Sequence, residues 1–322
     1  MRTADIQRLA AIDLGTNSFH LIIVEISEKS RKFRTLYKEK RMVRLGGGGM
    51  KCLSGSAMER GIEALKRFKT IADLNGAPVR AIATSALREA ANRDAFIRRA
   101  RRAAGIRIEV VSGEEEAALI YQGVLSCLPV FNKKVLLIDI GGGSTEFVIG
   151  KRREALFAAS LRLGAVRLTR RFFTREKTDA ASIMECRSHI AGQLDRVAPS
   201  INAEEYDAVV GSSGTIFNIA RMIGYKRDGT RYSKKDRLSF SRIELFEMVD
   251  EIIAARDARK RAGLKGLDSG RADIITAGAL ILKESFKKFR IKSMTVSGAA
   301  LREGIVLDTM DRGSREDVHC PF

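Results

Sequence analysis

The sequence predicts an α/β fold built from two copies of one unit, and three observations carry that reading. At 322 residues the chain exceeds the size at which one hydrophobic core keeps growing, so two domains with separate cores are expected. An apolar strand that ends in aspartate and runs into a glycine turn occurs twice, as "AAIDLGTNSF" at 10–19 and "LLIDIGGGSTEF" at 136–147. Each copy opens a group of three closely spaced strands, after which helices and strands alternate.

In the first copy the strands fall at 9–13, 18–26 and 32–39. Met58, Ile62, Leu65, Phe68 and Ala72 then recur at helical spacing. A strand at 79–84, a helical region at 85–104 and a strand at 106–111 follow, and Ser112-x-x-Glu115 is a capping box that opens a helix over 113–126. The second copy repeats the order: strands at 134–140, 145–150 and 154–161, helices across 164–199, a strand at 207–211, and helices at 214–223 and 241–255. A long helix at 270–288, a strand at 291–297 and a helix at 299–309 complete it. The expected boundaries are 1–128 for the first domain, 129–311 for the second, and 312–322 for a flexible tail. Two such copies facing each other would bring both Asp-Gly loops to one interdomain cleft.

Composition narrows the function classes. A charged fraction of 30% and a hydrophobic fraction of 45% are those of an ordinary globular protein. No apolar run reaches bilayer length and the N-terminus enters a strand at once, so a cytoplasmic protein without a membrane partner is expected. Cys52, Cys127, Cys186 and Cys320 are scattered and form no C-x-x-C, which points away from disulfides and zinc. His20, His189 and His319 are too far apart in sequence to suggest a histidine metal cluster or a Ser-His-Asp triad. Catalysis must then rest on carboxylates, arginines, backbone amides and a bound metal. The net charge of +19 favours a polyanionic partner, with basic clusters at 97–107, 150–154, 256–265 and 286–292. Aromatics are only 6%, Trp is absent, and none interleave with these clusters, so charge rather than base stacking would do the reading and no specific nucleic acid is expected.

The paired loops are the first candidate site. Sharp turns at Gly15 and at Gly141, Gly142 and Gly143 let backbone N–H groups approach a phosphate, and Thr16, Asn17, Ser18, Ser144 and Thr145 add neutral donors. A plain hairpin turn is the alternative for either loop alone. Asp13 and Asp139 carry the same sign of charge as phosphate, and a divalent cation, usually Mg²⁺, held between them and the phosphate oxygens reconciles the two. In "SGEEEAALIYQGV" at 112–124, Glu114 and Glu115 suit a helix first turn, while Glu116 precedes small and apolar residues and could orient a water. Arg88, after a strand, could neutralise a transferring phosphoryl group or serve as a surface ion pair. Gly211, Ser212, Ser213, Gly214 and Thr215 form another strand-to-helix turn, an anion site or simply a capped helix.

Taken together, "DLGTNSFHLIIVEI", "TSALREAANRDAF", "VVSGEEEAALIYQGV", "LLIDIGGGSTEFVIG", "VVGSSGTIFNIA", "SGRADIITAGALIL" and "VSGAALREGIVLD" resemble the exopolyphosphatase and guanosine pentaphosphate phosphohydrolase (Ppx/GppA) family, in its short two-domain form. The resemblance runs from about residue 9 to 308. It implies duplicated actin-like, ribonuclease H-like domains, as in sugar kinases and chaperone ATPases. It also implies two phosphate loops after Asp13 and Asp139, a catalytic Glu116 with Glu115 as the neighbouring alternative, Glu146 as a second acid near metal and water, and Arg88 as a phosphate contact. The implied activity is metal-dependent hydrolysis of the terminal phosphate of inorganic polyphosphate, with pppGpp 5′-phosphate hydrolysis as the alternative. An ATP-dependent kinase and a non-catalytic nucleotide sensor are more distant readings, and a homodimer is the assembly considered.

Overall fold

The computed structural model describes residues 6–27, 32–175, 178–233 and 236–316. Two compact units emerge: Met1–Gly123 together with Leu301–Phe322, and Val124–Ala300.

The first unit contains β1 (Ile6–Leu14), β2 (Phe19–Ser27), β3 (Lys32–Arg41), α1 (Gly55–Leu74), β4 (Val79–Ala83), α2 (Ser85–Glu89), α3 (Arg93–Ala104), β5 (Ile108–Val110) and α4 (Gly113–Leu125). Its sheet runs β3-β2-β1-β4-β5, antiparallel among the first three strands and parallel from β1 to β5. Central β1 is buried from Leu9 to Ile12, as a strand covered on both faces must be, whereas edge strand β3 is largely exposed and carries Lys and Arg, which blunt an open edge. Helix α1 starts where the Ser54 side chain accepts from the Ala57 N–H, and its apolar stripe buries Ile62, Leu65 and Phe68. Gly61 on α1 admits the Phe96 ring of α3: a Cβ there would lie 2.8 Å from it.

The second unit contains β6 (Lys134–Ile140), β7 (Thr145–Lys151), β8 (Glu154–Leu161), α5 (Ala165–Phe172), α6 (Ala180–Leu194), α7 (Ala198–Asn202), β9 (Ala208–Ser212), α8 (Ser213–Asp228), β10 (Leu238–Ser241), α9 (Arg242–Ala254), α10 (Ala258–Ala262), α11 (Ile275–Lys288) and β11 (Ser293–Val296). Its sheet runs β10-β11-β9-β6-β7-β8. Read from β8, that is the strand order of the first sheet with one antiparallel strand, β10, added at the far edge.

Several expectations are corrected. The helical region 85–104 is two helices, separated where Asn92 exchanges two side-chain hydrogen bonds with the backbone of Leu53, both 2.9 Å. The stretch 164–199 is α5, α6 and the start of α7, and α8 runs on to Asp228, where Gly229 adopts the left-handed conformation that ends helices. The helix expected from 270 begins at Ile275, after a 3₁₀ turn over Ser269–Arg271, and β10 was not anticipated. The last helix, α12 (Leu301–Glu316), packs on β1 and β2 and so belongs to the first unit, not to a second domain ending at 311. It also continues through part of the expected flexible tail; Cys320 and His319 lie outside the described residues. Among the described residues no helix is long and apolar enough to cross a membrane.

Candidate active site

In the first unit, Asp13 sits one residue before the end of β1, opposite His20 on β2 and beside Ile82 on β4. The turn after it is tight: a Cβ on Gly15 would meet the Ser18 carbonyl at 2.9 Å. The carbonyls of Thr16 and Asn17 accept from the N–H groups of Gly46 (3.0 Å) and Arg44 (2.7 Å). In a trans peptide the following N–H points the opposite way, so the amides of Asn17 and Ser18 are aimed away from that brace. The Asn17 side-chain amide nitrogen is buried and finds no hydrogen-bond partner among the described residues, while the Ser18 hydroxyl pairs with His20 Nε2 at 2.9 Å. An anion that accepts from such donors would satisfy them.

Helices α2 and α4 of this unit bring Arg88 and Glu116 together. Arg88 Nη1 donates to Glu116 Oε2 at 2.9 Å and to the Val111 carbonyl at 3.1 Å. Glu116 is buried at 7% exposure, among the small and apolar residues that follow it. Glu115 is occupied differently. Its carboxylate accepts from the Ser112 N–H at 2.7 Å and its own N–H donates to the Ser112 hydroxyl, completing the capping box, and these bonds hold its pKa below the usual carboxylate range. Of the two glutamates, the geometry therefore sets Glu115 to the helix cap and Glu116 toward the interior.

In the second unit four polar residues lie in one row across four strands. Ser212 on β9 is level with Asp139 on β6, Asp139 with Glu146 on β7, and Glu146 with Ser160 on β8. Residues directly opposite on neighbouring strands share a face, so Asp139 and Glu146 are adjacent buried carboxylates, 6% and 1% exposed. The Ser212 hydroxyl donates to Asp139, and the Ser160 hydroxyl to Glu146 at 2.8 Å. Adjacent carboxylates of this kind are a donor set that could bind a divalent cation. The corresponding row of the first unit reads Ile82, Asp13, His20, Lys40 and has a single acid. Among the described residues no three acidic, histidine or cysteine groups cluster as a complete metal cage.

The glycine loop of the second unit is tied down through its carbonyls. Gly141 O accepts from Ala165, Gly142 O from Val166 and Arg167, and Gly143 O from the Arg167 guanidinium at 2.7 Å. Gly164 permits the contact, since a Cβ there would sit 2.4 Å from the Gly142 carbonyl. By the same trans-peptide geometry, the N–H groups of Gly142, Gly143 and Ser144 are turned away from α5. Thr145 instead points its hydroxyl into the fold, to the Leu163 carbonyl at 2.6 Å.

The third loop divides. Gly211 is a strand residue packed under Met294 and Ile216, and Thr215 is buried against Gly278 of α11; these two serve packing. Ser212, Ser213 and Gly214 do form the start of α8, with Ser213 held at a φ of 87°, an uncommon backbone for a non-glycine residue, by its hydroxyl bond to the Ile140 carbonyl. One residue was quoted in the sequence motifs without a role: Arg271. Its guanidinium lies against Gly214, where a Cβ would come within 2.1 Å, and burial pulls its pKa down against the opposing charges of Asp268, Asp273 and Asp139. Its Nε is buried and has no hydrogen-bond partner among the described residues. An arginine packed against Gly214 in the first turn of α8 is the feature that "SGRAD" alone could not place.

Comparison with known proteins fits this site. A model of the Ppx/GppA phosphatase family matches residues 22–313. The chain belongs to the Ppx/GppA phosphatase family. This family member is 35% identical over 300 residues to guanosine-5′-triphosphate,3′-diphosphate pyrophosphatase of Aeromonas hydrophila, a match covering 92% of the chain and 58% of that relative. The chain thus spans under two thirds of the length of such curated relatives. Solved structures similar over nearly their whole length include an exopolyphosphatase from Cytophaga hutchinsonii (TM-score 0.87, 31% identity, 95% of this chain and 98% of that one). The Ppx/GppA family member of Aquifex aeolicus is another (TM-score 0.78, 27% identity, 96% and 99%). The Ppx/GppA chain accordingly has the actin-like, ribonuclease H-like fold in two units.

Proposed function

We propose that this Ppx/GppA chain is a metal-dependent phosphohydrolase that releases orthophosphate from the end of inorganic polyphosphate. The observation that carries the reading is the Arg88–Glu116 pair, a largely buried carboxylate held in place by a half-buried arginine of the kind that contacts phosphate. In this reading Glu116 accepts a proton from the attacking water. The water oxygen bonds to the terminal phosphorus, the P–O bond to the next phosphate breaks in line, and the leaving oxygen stays on the shortened chain. Arg88 turns remaining N–H donors toward the transferring phosphoryl oxygens. Each unit has a loop of outward amides, and in the second Arg271 adds positive charge against Gly214.

Asp139 and Glu146 would hold Mg²⁺, and Asp13 occupies the matching strand-end position of the first unit. Their fit is chemical: a pair of adjacent buried carboxylates suits an ion that keeps several waters and takes one or two carboxylates plus substrate oxygens. When bound, such an ion neutralises charge on the phosphates. The matching strand orders support an origin of both units from one duplicated ancestor.

Inorganic polyphosphate is supported by the Cytophaga hutchinsonii exopolyphosphatase, which matches along almost all of both chains. The second reading, removal of the 5′-terminal phosphate of pppGpp by the same residues, is favoured by the names of the Aeromonas relatives. The deciding experiment measures orthophosphate release from long-chain polyphosphate and from pppGpp side by side with Mg²⁺ present. A higher kcat/KM on polyphosphate supports the first reading, a higher value on pppGpp replaces it with the second, and release from neither overturns both.

A further inference from the structure

A dense run of exposed positive charge lies on α3, on residues given no role in the site above. Arg98, Arg99, Arg101 and Arg102 are all exposed, and among the described residues none makes an ion pair or a side-chain hydrogen bond. At 100° per residue, Arg98, Arg99 and Arg102 fall within about a third of the helix circumference, with Arg101 flanking them, opposite buried Phe96 and Ala100. The helix contains one acid, Asp94, in its first turn.

That arrangement costs stability. Arg98 with Arg101 and Arg102, and Arg99 with Arg102, are like-charge neighbours at three- and four-residue spacing, which destabilise a helix. The helix dipole favours the two arginines of the last turn but not Arg98 and Arg99 in the middle. Several cations elsewhere are paired. On the neighbouring helix α1, Arg67 pairs with Glu39 and Lys69 with Asp73. In the basic cluster at 286–292, Lys287 pairs with Glu284 and Lys288 with Asp195.

We propose that this face of α3 docks an extended phosphate polymer, the body of a polyphosphate chain. Charge complementarity selects a polyanion, and the character of the face selects its kind. α3 exposes no aromatic ring on which a base could stack, which disfavours single-stranded nucleic acid. None of the exposed large apolar side chains lies on it, which disfavours insertion into a membrane surface. A chain of phosphates asks only for what the face supplies, several guanidinium groups within two helical turns. The identity of the polymer rests on the polyphosphate reading; the existence of the docking face does not.

The test is the variant R98Q/R99Q/R101Q/R102Q, in which Gln keeps helix propensity and the repulsion is removed, so its Tm should equal or exceed that of the native chain. Binding of long-chain polyphosphate is measured between about 50 and 200 mM salt. Loss of four contacts is expected to flatten the slope of log K against log salt by about 2 to 3 and to raise KM for the polymer at least several-fold. Turnover of tripolyphosphate, too short to leave the site, should be unchanged. The corresponding Arg→Lys variant should keep the slope, which a merely structural role would not predict. An unchanged slope and KM in a Gln variant that still hydrolyses polyphosphate overturns the proposal and leaves the activity standing. A flattened slope in a protein that releases no phosphate from the polymer sinks the activity and leaves the docking face. A slope change seen for an RNA homopolymer and not for polyphosphate reassigns the face to nucleic acid and overturns the proposal as well.

Discussion

Arg88 and Glu116, 28 positions apart in sequence, are joined by a 2.9 Å ion pair in which the carboxylate is buried and the guanidinium is also anchored to the Val111 carbonyl. The second anchor fixes the arginine whether or not the glutamate shifts, so the pair can open toward a substrate without losing both members. Neighbouring Glu115 is spent on the helix cap.

Glu116→Gln should therefore lower kcat by a factor of about 10² or more with polyphosphate binding nearly unchanged, as expected for loss of a general base. Glu115→Gln is the control, because Gln also completes a capping box. Steady-state kinetics together with direct binding read both effects. Near-native turnover in Glu116→Gln would remove it from the mechanism.

Asp139→Asn and Glu146→Gln should each raise the Mg²⁺ concentration required for activity. They should also shrink the rise in Tm that Mg²⁺ produces in the native chain, because an ion that binds only the folded state stabilises it by mass action. Thermal melts with and without chelator provide a readout independent of turnover. Equal Mg²⁺-induced shifts in native and variant proteins would place the ion elsewhere.

Arg271→Gln should raise KM about tenfold or more, and Arg271→Lys should rescue it only partly, since an ammonium cannot reproduce a planar fork. Gly214→Ala should resemble Arg271→Gln, because the new methyl group would occupy the guanidinium's place. Asn218 links the same parts: its side chain donates to the Gly214 carbonyl at 2.7 Å and accepts from the Asp268 N–H at 2.7 Å. Native KM in Gly214→Ala would mean that Arg271 is not held against the loop.

Gly304→Ala should destabilise the first unit by at least about 2 kcal/mol, as overpacking does. A Cβ on this α12 residue would lie 1.8 Å from the Leu119 carbonyl of α4. The sign is informative, because Ala favours an isolated helix over Gly by about 1 kcal/mol. A thermal or urea melt checks it, and an unchanged or raised Tm would show that the two helices separate easily.

Much of the candidate site was legible along the chain because it is local. The two Asp-Gly turns need small residues where backbone approaches backbone, and Gly15, Gly141 and Gly164 show those approaches directly. The capping box at Ser112 was equally readable, since its partners are three residues apart. Element boundaries were less so: Asn92 ends a helical stretch by reaching back to Leu53, a contact with no trace in local spacing. Gly211 and Thr215 have the composition of a phosphate loop, yet a strand ladder and a helix crossing claim them.

The sequence by itself determined the fold class, the repeated strand order and the pairing of an acid with each glycine turn, because alternation, helical spacing and turn chemistry are written over a few residues. Only the tertiary structure decided that Glu116 rather than Glu115 meets Arg88, that Asp139 and Glu146 stand side by side, and that Arg271 closes on Gly214. It also returned α12 to the first unit. The Asp139–Glu146 pairing is set by the register of one hairpin and the others are meetings of residues distant in the chain, and neither strand register nor helix packing is encoded in the spacing of the residues that meet.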